Sequence, residues 1–139
     1  MKKNILGVTL ARGGSKGIKN KNLANIHGKP LIYYTIKEAK KSKKITNYII
    51  STDSIKIKKV AQKYNAQVPF IRPKKFSKDN SSSASALKHA LIECEKIYNK
   101  KFDYVIELMA TNPLKSSKDI DNIIKIILKN KADSVIAVN

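Results

Sequence analysis

In 139 residues the chain has a single cysteine, Cys94, and only two arginines, Arg12 and Arg72. One cysteine excludes an internal disulfide framework and a cysteine-rich zinc site. No run approaches the ~18 consecutive apolar residues of a membrane-crossing helix. The start MKKNILGVTLARGG leads into a Gly-rich loop where a signal peptide would carry a small-residue cleavage site. Both features imply an unexported, cytoplasmic protein with no membrane partner. Acidic residues are scarce too: 10 Asp+Glu stand against 29 Lys+Arg, a formal net charge of +19 at pH 7. That balance is the footprint of a nucleic-acid binder. The shortage of arginine opposes it, because surfaces that clamp phosphates or read bases recruit the guanidinium fork. Lys, Ile and Asn together are what an AT-rich coding sequence favours, so most lysines are read as solvated surface.

What is present is a regular alternation. Ile5 to Ala11 is a nearly continuous apolar run, as in a strand buried on both faces of a parallel sheet. A loop from Arg12 to Asn22 follows, then a helix opened by Pro30 at its first position and carrying Leu31, Ile32, Ile36 and Ala39. Tyr48–Ser51 forms a short strand, and Ile57, Val60, Ala61 and Tyr64 form the apolar stripe of a second helix. Val68–Ile71 is a third extended stretch, running into a loop from Arg72 to Ser83. A third helix buries Leu87, Ala90, Leu91, Cys94 and Ile97. Tyr104–Met109 is a strand, Ser116 or Ser117 caps a fourth helix striped by Ile120, Ile123, Ile124, Ile127 and Leu128, and Ser134–Val138 is a final strand. Strands alternating with helices of this length predict a Rossmann-like α/β fold, a parallel sheet with helices on both faces. The loops 12–22, 72–83 and 110–115 then share the carboxyl edge of the sheet. An apolar final strand with no helix after it predicts a chain truncated at its C-terminus.

The first loop is the strongest local signal. A Gly pair after a buried strand turns backbone N–H groups toward a ligand, and Arg12, Lys16, Lys19 and Lys21 add cations within ten residues. The product is a polyphosphate cradle, though neither G-x-G-x-x-G nor G-x-x-x-x-G-K-[ST] fits. Asp53 is open to two readings, a metal ligand or a helix cap within Thr52-Asp53-Ser54.

The segment Leu10-Ala-Arg-Gly-Gly-Ser-Lys-Gly-Ile-Lys-Asn-Lys-Asn-Leu23 closely resembles the nucleotide-binding signature of the acylneuraminate cytidylyltransferases, the CMP-sialic acid synthetases. Later blocks resemble the family in the same order: Gly28–Ile32 with Tyr34-Thr-Ile36, Ile50–Ser54, Val68–Pro73, and Thr111–Lys115 with Asp119-Ile-Asp121. The resemblance implies a domain over residues 1–139 that binds CTP and belongs to a nucleotidyltransferase, with the sugar, metal and dimerisation portion absent. It implies transfer of CMP from CTP to an acidic nine-carbon sugar, with release of pyrophosphate, Mg²⁺ as cofactor, and a homodimer for the full-length form. It assigns Arg12, Lys16 and Lys21 to catalysis. It assigns Ala11, Arg12, Gly13, Gly14, Ser15, Lys16, Lys21, Asn22, Arg72 and Ser82 to the nucleotide, and Met109 and Thr111 to the sugar. For Ser82, within Ser81-Ser82-Ser83, capping of the next helix is an equal reading. The resemblance also places the Mg²⁺ carboxylates beyond position 139.

One departure bears on the substrate. The family commonly carries Gln and Pro where this chain has Met109 and Ala110, and a thioether cannot replace an amide that donates and accepts hydrogen bonds. A legionaminic or pseudaminic type of acceptor therefore stands beside N-acetylneuraminate. The alternatives are a basic nucleic-acid-binding module and an inactive fragment of the enzyme. Cys94 is expected in the core, His27 in a turn, and His89 on the polar side of its helix, none of them a metal ligand. Asp119 and Asp121 are expected to favour a helix start, on different faces.

Overall fold

The computed structural model describes residues 3–13, 21–77, 82–110, 116–130 and 135–138. In chain order the elements are β1 (Ile5–Leu10), a 3-10 turn (Lys21–Leu23), β2 (Asn25–Ile26), β3 (Lys29–Pro30), α1 (Leu31–Lys41), β4 (Asn47–Ser51), α2 (Ile55–Lys63), a second 3-10 turn (Lys74–Phe76), α3 (Ser83–Tyr98), β5 (Tyr104–Leu108), α4 (Ser117–Lys129) and β6 (Val135–Val138). Four strands form a parallel sheet in the order β4-β1-β5-β6.

The continuous apolar run of β1 is explained by helices on both sides. Ile5 packs with Ala39 of α1 and Ile120 and Ile124 of α4. Leu6 and Val8 pack with Leu87, Ala90 and Cys94 of α3. Further along, Ala11 and Ile50 meet Ile32 and Ile36 of α1 and Ile57 and Ala61 of α2. The period of two along each strand thus places α1, α2 and α4 on one face and α3 on the other. Cys94 is fully buried there, and burial pushes its thiol up to about 12. Among the described residues no helix is long and apolar enough to cross a membrane.

Four local expectations are corrected. Pro30 precedes α1 as its cap residue with extended backbone, so the helix begins at Leu31. Lys29–Pro30 instead pairs with Asn25–Ile26 in a small hairpin whose turn has both His27 and Gly28 at positive φ, 51° and 87°. That is the turn geometry that matches strand twist and favours glycine. Val68–Ile71 forms no strand; only Gln67 bridges to Ile49, since Pro69 lacks the N–H a further ladder bond needs. Ile97 is 49% exposed. Its place on the core side is taken by Tyr98, four residues after Cys94 on the same helical stripe, which packs against the cluster of Leu6, Val105 and Cys94. His89 is partly buried instead of standing on a polar side: its ring lies against Phe70 and Phe76, and its Nδ1 is buried without a hydrogen-bond partner among the described residues.

Candidate active site at the carboxyl edge of the sheet

The strand order fixes where a ligand can sit. From β1 the chain crosses to β4 on one side; from β5 it crosses to β6 on the other. The connections leave β1 and β5 in opposite directions, and such a switch point opens a crevice outside the carboxyl ends of the strands. A cleft of about 250 Å³ lies there, lined by Leu10, Arg12, Lys21, Asn22, Ser83, Glu107, Met109 and Ala110. Residues from three separated loops therefore converge, as the topology requires. A second recess of about 220 Å³ lies at the amino end of β4, among Lys40, Thr46, Asn47 and Gln67. It is at the opposite end of the strands from the Gly-rich loop.

The β1 side of the cleft is held by a network that ties distant segments together. The Gly13 amide donates to Asp53 Oδ1 at 2.9 Å. A Cβ at position 13 would come within 2.9 Å of Ser54 Cβ, so only glycine allows this approach. Asn22, 4% exposed, donates from Nδ2 to the Arg12 carbonyl at 3.4 Å. Arg12 Nη1 donates to the Ser77 carbonyl at 3.3 Å, and Arg72 Nε donates to Ser77 Oγ at 3.0 Å. Ser77 thus receives both guanidinium groups, one on its backbone and one on its hydroxyl. Burial pushes the Arg72 guanidinium below its ordinary range; the Asp53 charge opposes that shift and Arg12 adds to it.

The residues assigned from sequence are placed as follows. Arg12, Lys21, Asn22 and Met109 line the cleft, with Met109 38% exposed at its mouth. Ala11 is fully buried, its amide donating to the Ser51 carbonyl at 2.9 Å. Gly13 lies between Arg12 and Asp53 as described. Arg72 is 3% exposed and stands behind Arg12 rather than in the cleft lining. Ser82 caps α3, its hydroxyl accepting from the Ser85 amide, while the adjacent Ser83 reaches the cleft. Gly14, Ser15, Lys16 and Thr111 lie outside the described residues. Asp53 does not cap α2; Ser54 does, accepting from the Ile57 amide. Among the described residues no group of three or more His, Cys, Asp or Glu could hold a metal ion. Among the described residues the carboxylate in the cleft lining is Glu107 alone.

Sequence reasoning missed Ser77 and Glu107. Nothing local marks Ser77, whose role comes from two arginines brought in from both sides. Glu107 did carry a signal, an acidic residue inside the apolar strand Tyr104–Met109.

A family model described as cytidylyltransferase matches residues 6–139. Post-translational flagellin modification protein B of Campylobacter coli is 39% identical over 132 residues, covering 95% of this chain and 56% of that protein. A pseudaminic acid cytidylyltransferase of Campylobacter jejuni is 38% identical over 127 residues, 91% of this chain and 54% of its own length. The chain therefore spans about half the length of these relatives. A solved structure described as CMP:2-keto-3-deoxy-manno-octonic acid synthetase complexed with CTP superposes with a TM-score of 0.75 at 20% identity, over 93% of this chain and 49% of that one, a likeness of fold. With the family model spanning nearly its whole length, the chain belongs to the cytidylyltransferase family.

Proposed function

We propose that this chain is the CTP-binding part of a cytoplasmic, homodimeric enzyme that transfers CMP from CTP to an acidic nine-carbon sugar, releasing pyrophosphate. The observation that carries the reading is the convergence of Arg12, Lys21 and Asn22 with the β5 edge in one switch-point cleft. In the transfer the anomeric hydroxyl oxygen bonds to the α-phosphorus, the bond to pyrophosphate breaks, and the hydroxyl proton departs. Negative charge grows on the phosphate oxygens and the leaving group. Preorganised cations and N–H donors aimed there lower the barrier. Arg12, Lys16 and Lys21 have that role, together with the backbone amides of Gly14 and Ser15, while Gly13 serves by anchoring the start of the loop to Asp53. Arg72 serves the nucleotide by positioning Arg12 through Ser77, and Ser82 by setting the N-terminus of α3 beside the cleft. Met109 and Thr111 belong to the acceptor side, and Met109 in place of an amide favours a legionaminic or pseudaminic type of sugar over N-acetylneuraminate. A relative that is a pseudaminic acid cytidylyltransferase supports this class. Mg²⁺ is proposed as the companion of the triphosphate; the described residues do not by themselves assemble a site for it.

The test is thermal denaturation with nucleotides. CTP with Mg²⁺ raises Tm selectively over ATP, a ligand at 100 times its Kd adding about 2.7 kcal/mol. Equal shifts with ATP and CTP refute a cytidine site. Oligonucleotide binding with a steep salt slope, and no effect of CTP, favours the nucleic-acid reading instead.

A further inference from the structure

The cleft holds one carboxylate that no described residue satisfies. Glu107 sits on β5 opposite Val8 of β1, is 7% exposed, and lines the cleft. It has no hydrogen bond or ion pair with any described residue. A carboxylate so little exposed and without a partner among the described residues is costly, whereas buried polar groups in native proteins are hydrogen-bonded. Burial raises the Glu107 pKa above the ordinary carboxylate range. A ligand that brought a hydrogen-bond donor would relieve this cost.

The two sides of the cleft differ in charge. Arg12, Lys21 and Asn22 stand on the β1 side; Glu107, Met109 and Ala110 stand on the β5 side. A phosphate drawn to the cations is repelled by Glu107, so a group that carries a donor and no negative charge suits the place against Glu107. In phosphoryl transfer the attacking and leaving oxygens lie roughly in line. With pyrophosphate held over the cationic loop, the attacking sugar approaches from the β5 side. Alternation along the strand turns positions 107 and 109 to the same face.

Resting on the proposed cytidylyltransferase reading, we propose that Glu107 is a specificity-determining residue whose carboxylate accepts a hydrogen bond from a hydroxyl or N-acyl N–H of the acceptor sugar. The sugar's own carboxylate is then turned away from Glu107. Leu at this position removes the acceptor, while Gln keeps the shape and one acceptor oxygen but loses the charge.

Calorimetric titration of the chain and of its Glu107→Leu and Glu107→Gln variants tests this. Each is titrated with a non-hydrolysable CTP analogue and Mg²⁺, and then with N-acetylneuraminate and with N,N'-diacetyllegionaminate. A sugar that binds the parent chain is expected to bind Glu107→Leu about tenfold or more weakly, the effect of losing a hydrogen bond to a charged group. Glu107→Gln is expected to be intermediate, and the analogue to bind all three within about twofold. Sugar affinity unchanged in both variants overturns the inference. So does loss of analogue affinity in parallel with sugar affinity, which places Glu107 on the nucleotide or metal side. Analogue binding with no sugar binding to the parent chain overturns it as well. If Glu107→Leu does not fold, as judged by circular dichroism, Glu107→Gln decides alone. Failure of the parent chain to bind the analogue at all refutes the proposed function, and this inference falls with it.

Discussion

The hydrogen bond from the Gly13 amide to Asp53 joins the loop after β1 to the segment after β4, 40 residues apart. The cap role that Asp53 has in sequence passes to Ser54, while Asp53 Oδ1 accepts from the loop amide. Asp53→Ala leaves that amide without its acceptor and Arg72 without its nearest compensating charge. Chemical denaturation should show a loss of about 1–3 kcal/mol. Gly13→Ala should do similar damage through the clash with Ser54. Either variant remaining as stable as the parent removes the structural role given to this contact. Glu107 has the opposite character. Its folded pKa lies above its unfolded value because of burial. The folded state therefore holds the proton more tightly, and stability falls as pH rises from the unfolded pKa through the folded one. Glu107→Gln abolishes that titration. The variant is expected to gain on the parent as pH rises through this window and to match it below; parallel stability–pH curves would contradict the assignment.

Among the helices, α4 shows how much of an element's placement is written locally. Ser116 accepts from the Asp119 amide while Asp119 reaches back to the Ser116 amide, a reciprocal capping box. The choice between Ser116 and Ser117 follows from that spacing. Ser117 has a different use, its amide donating to Glu38 of α1 at 2.9 Å. Asp121, one turn on, accepts from the backbone amides of Lys43 and Lys44 and from the Ser42 hydroxyl. The two aspartates do point off different faces, one to the helix end and one to the α1–β4 loop. Ser116→Ala should cost about 1 kcal/mol by urea denaturation. Asp121→Ala, which frees several donors at once, should cost more; the reverse ranking would be incompatible with these contacts.

Across the whole molecule, the +19 charge and the cleft must be separated. Lys56 and Lys59 are exposed on α2, outside the cleft lining. Reversing both to Glu lowers the net charge by about four units. It is expected to change stability by no more than about 0.5 kcal/mol, to leave CTP affinity within about twofold, and to weaken oligonucleotide binding. A comparable fall in CTP affinity would mean that the overall field, not the local cations, draws the nucleotide.

The alternation of strands and helices was determined by the sequence alone, because hydrophobic period is a property of a few adjacent residues. The residues Ile5, Ile36, Ile57, Leu87 and Ile124 could be assigned to the core on periodicity, and all are buried. The missing strand at 68–71 and the exposure of Ile97 could not be foreseen. They depend on which partner lies alongside, and at the end of α3 it is Tyr98 that meets the core. Only the tertiary structure decided that Ser77 serves both arginines, that Asp53 faces Gly13, that Arg72 lies outside the cleft lining, and that Glu107 has no partner among the described residues. The physical reason is separation: Gly13 meets Asp53 across 40 positions and Arg12 meets Ser77 across 65, so their pairing is set by strand order β4-β1-β5 and not by any local pattern.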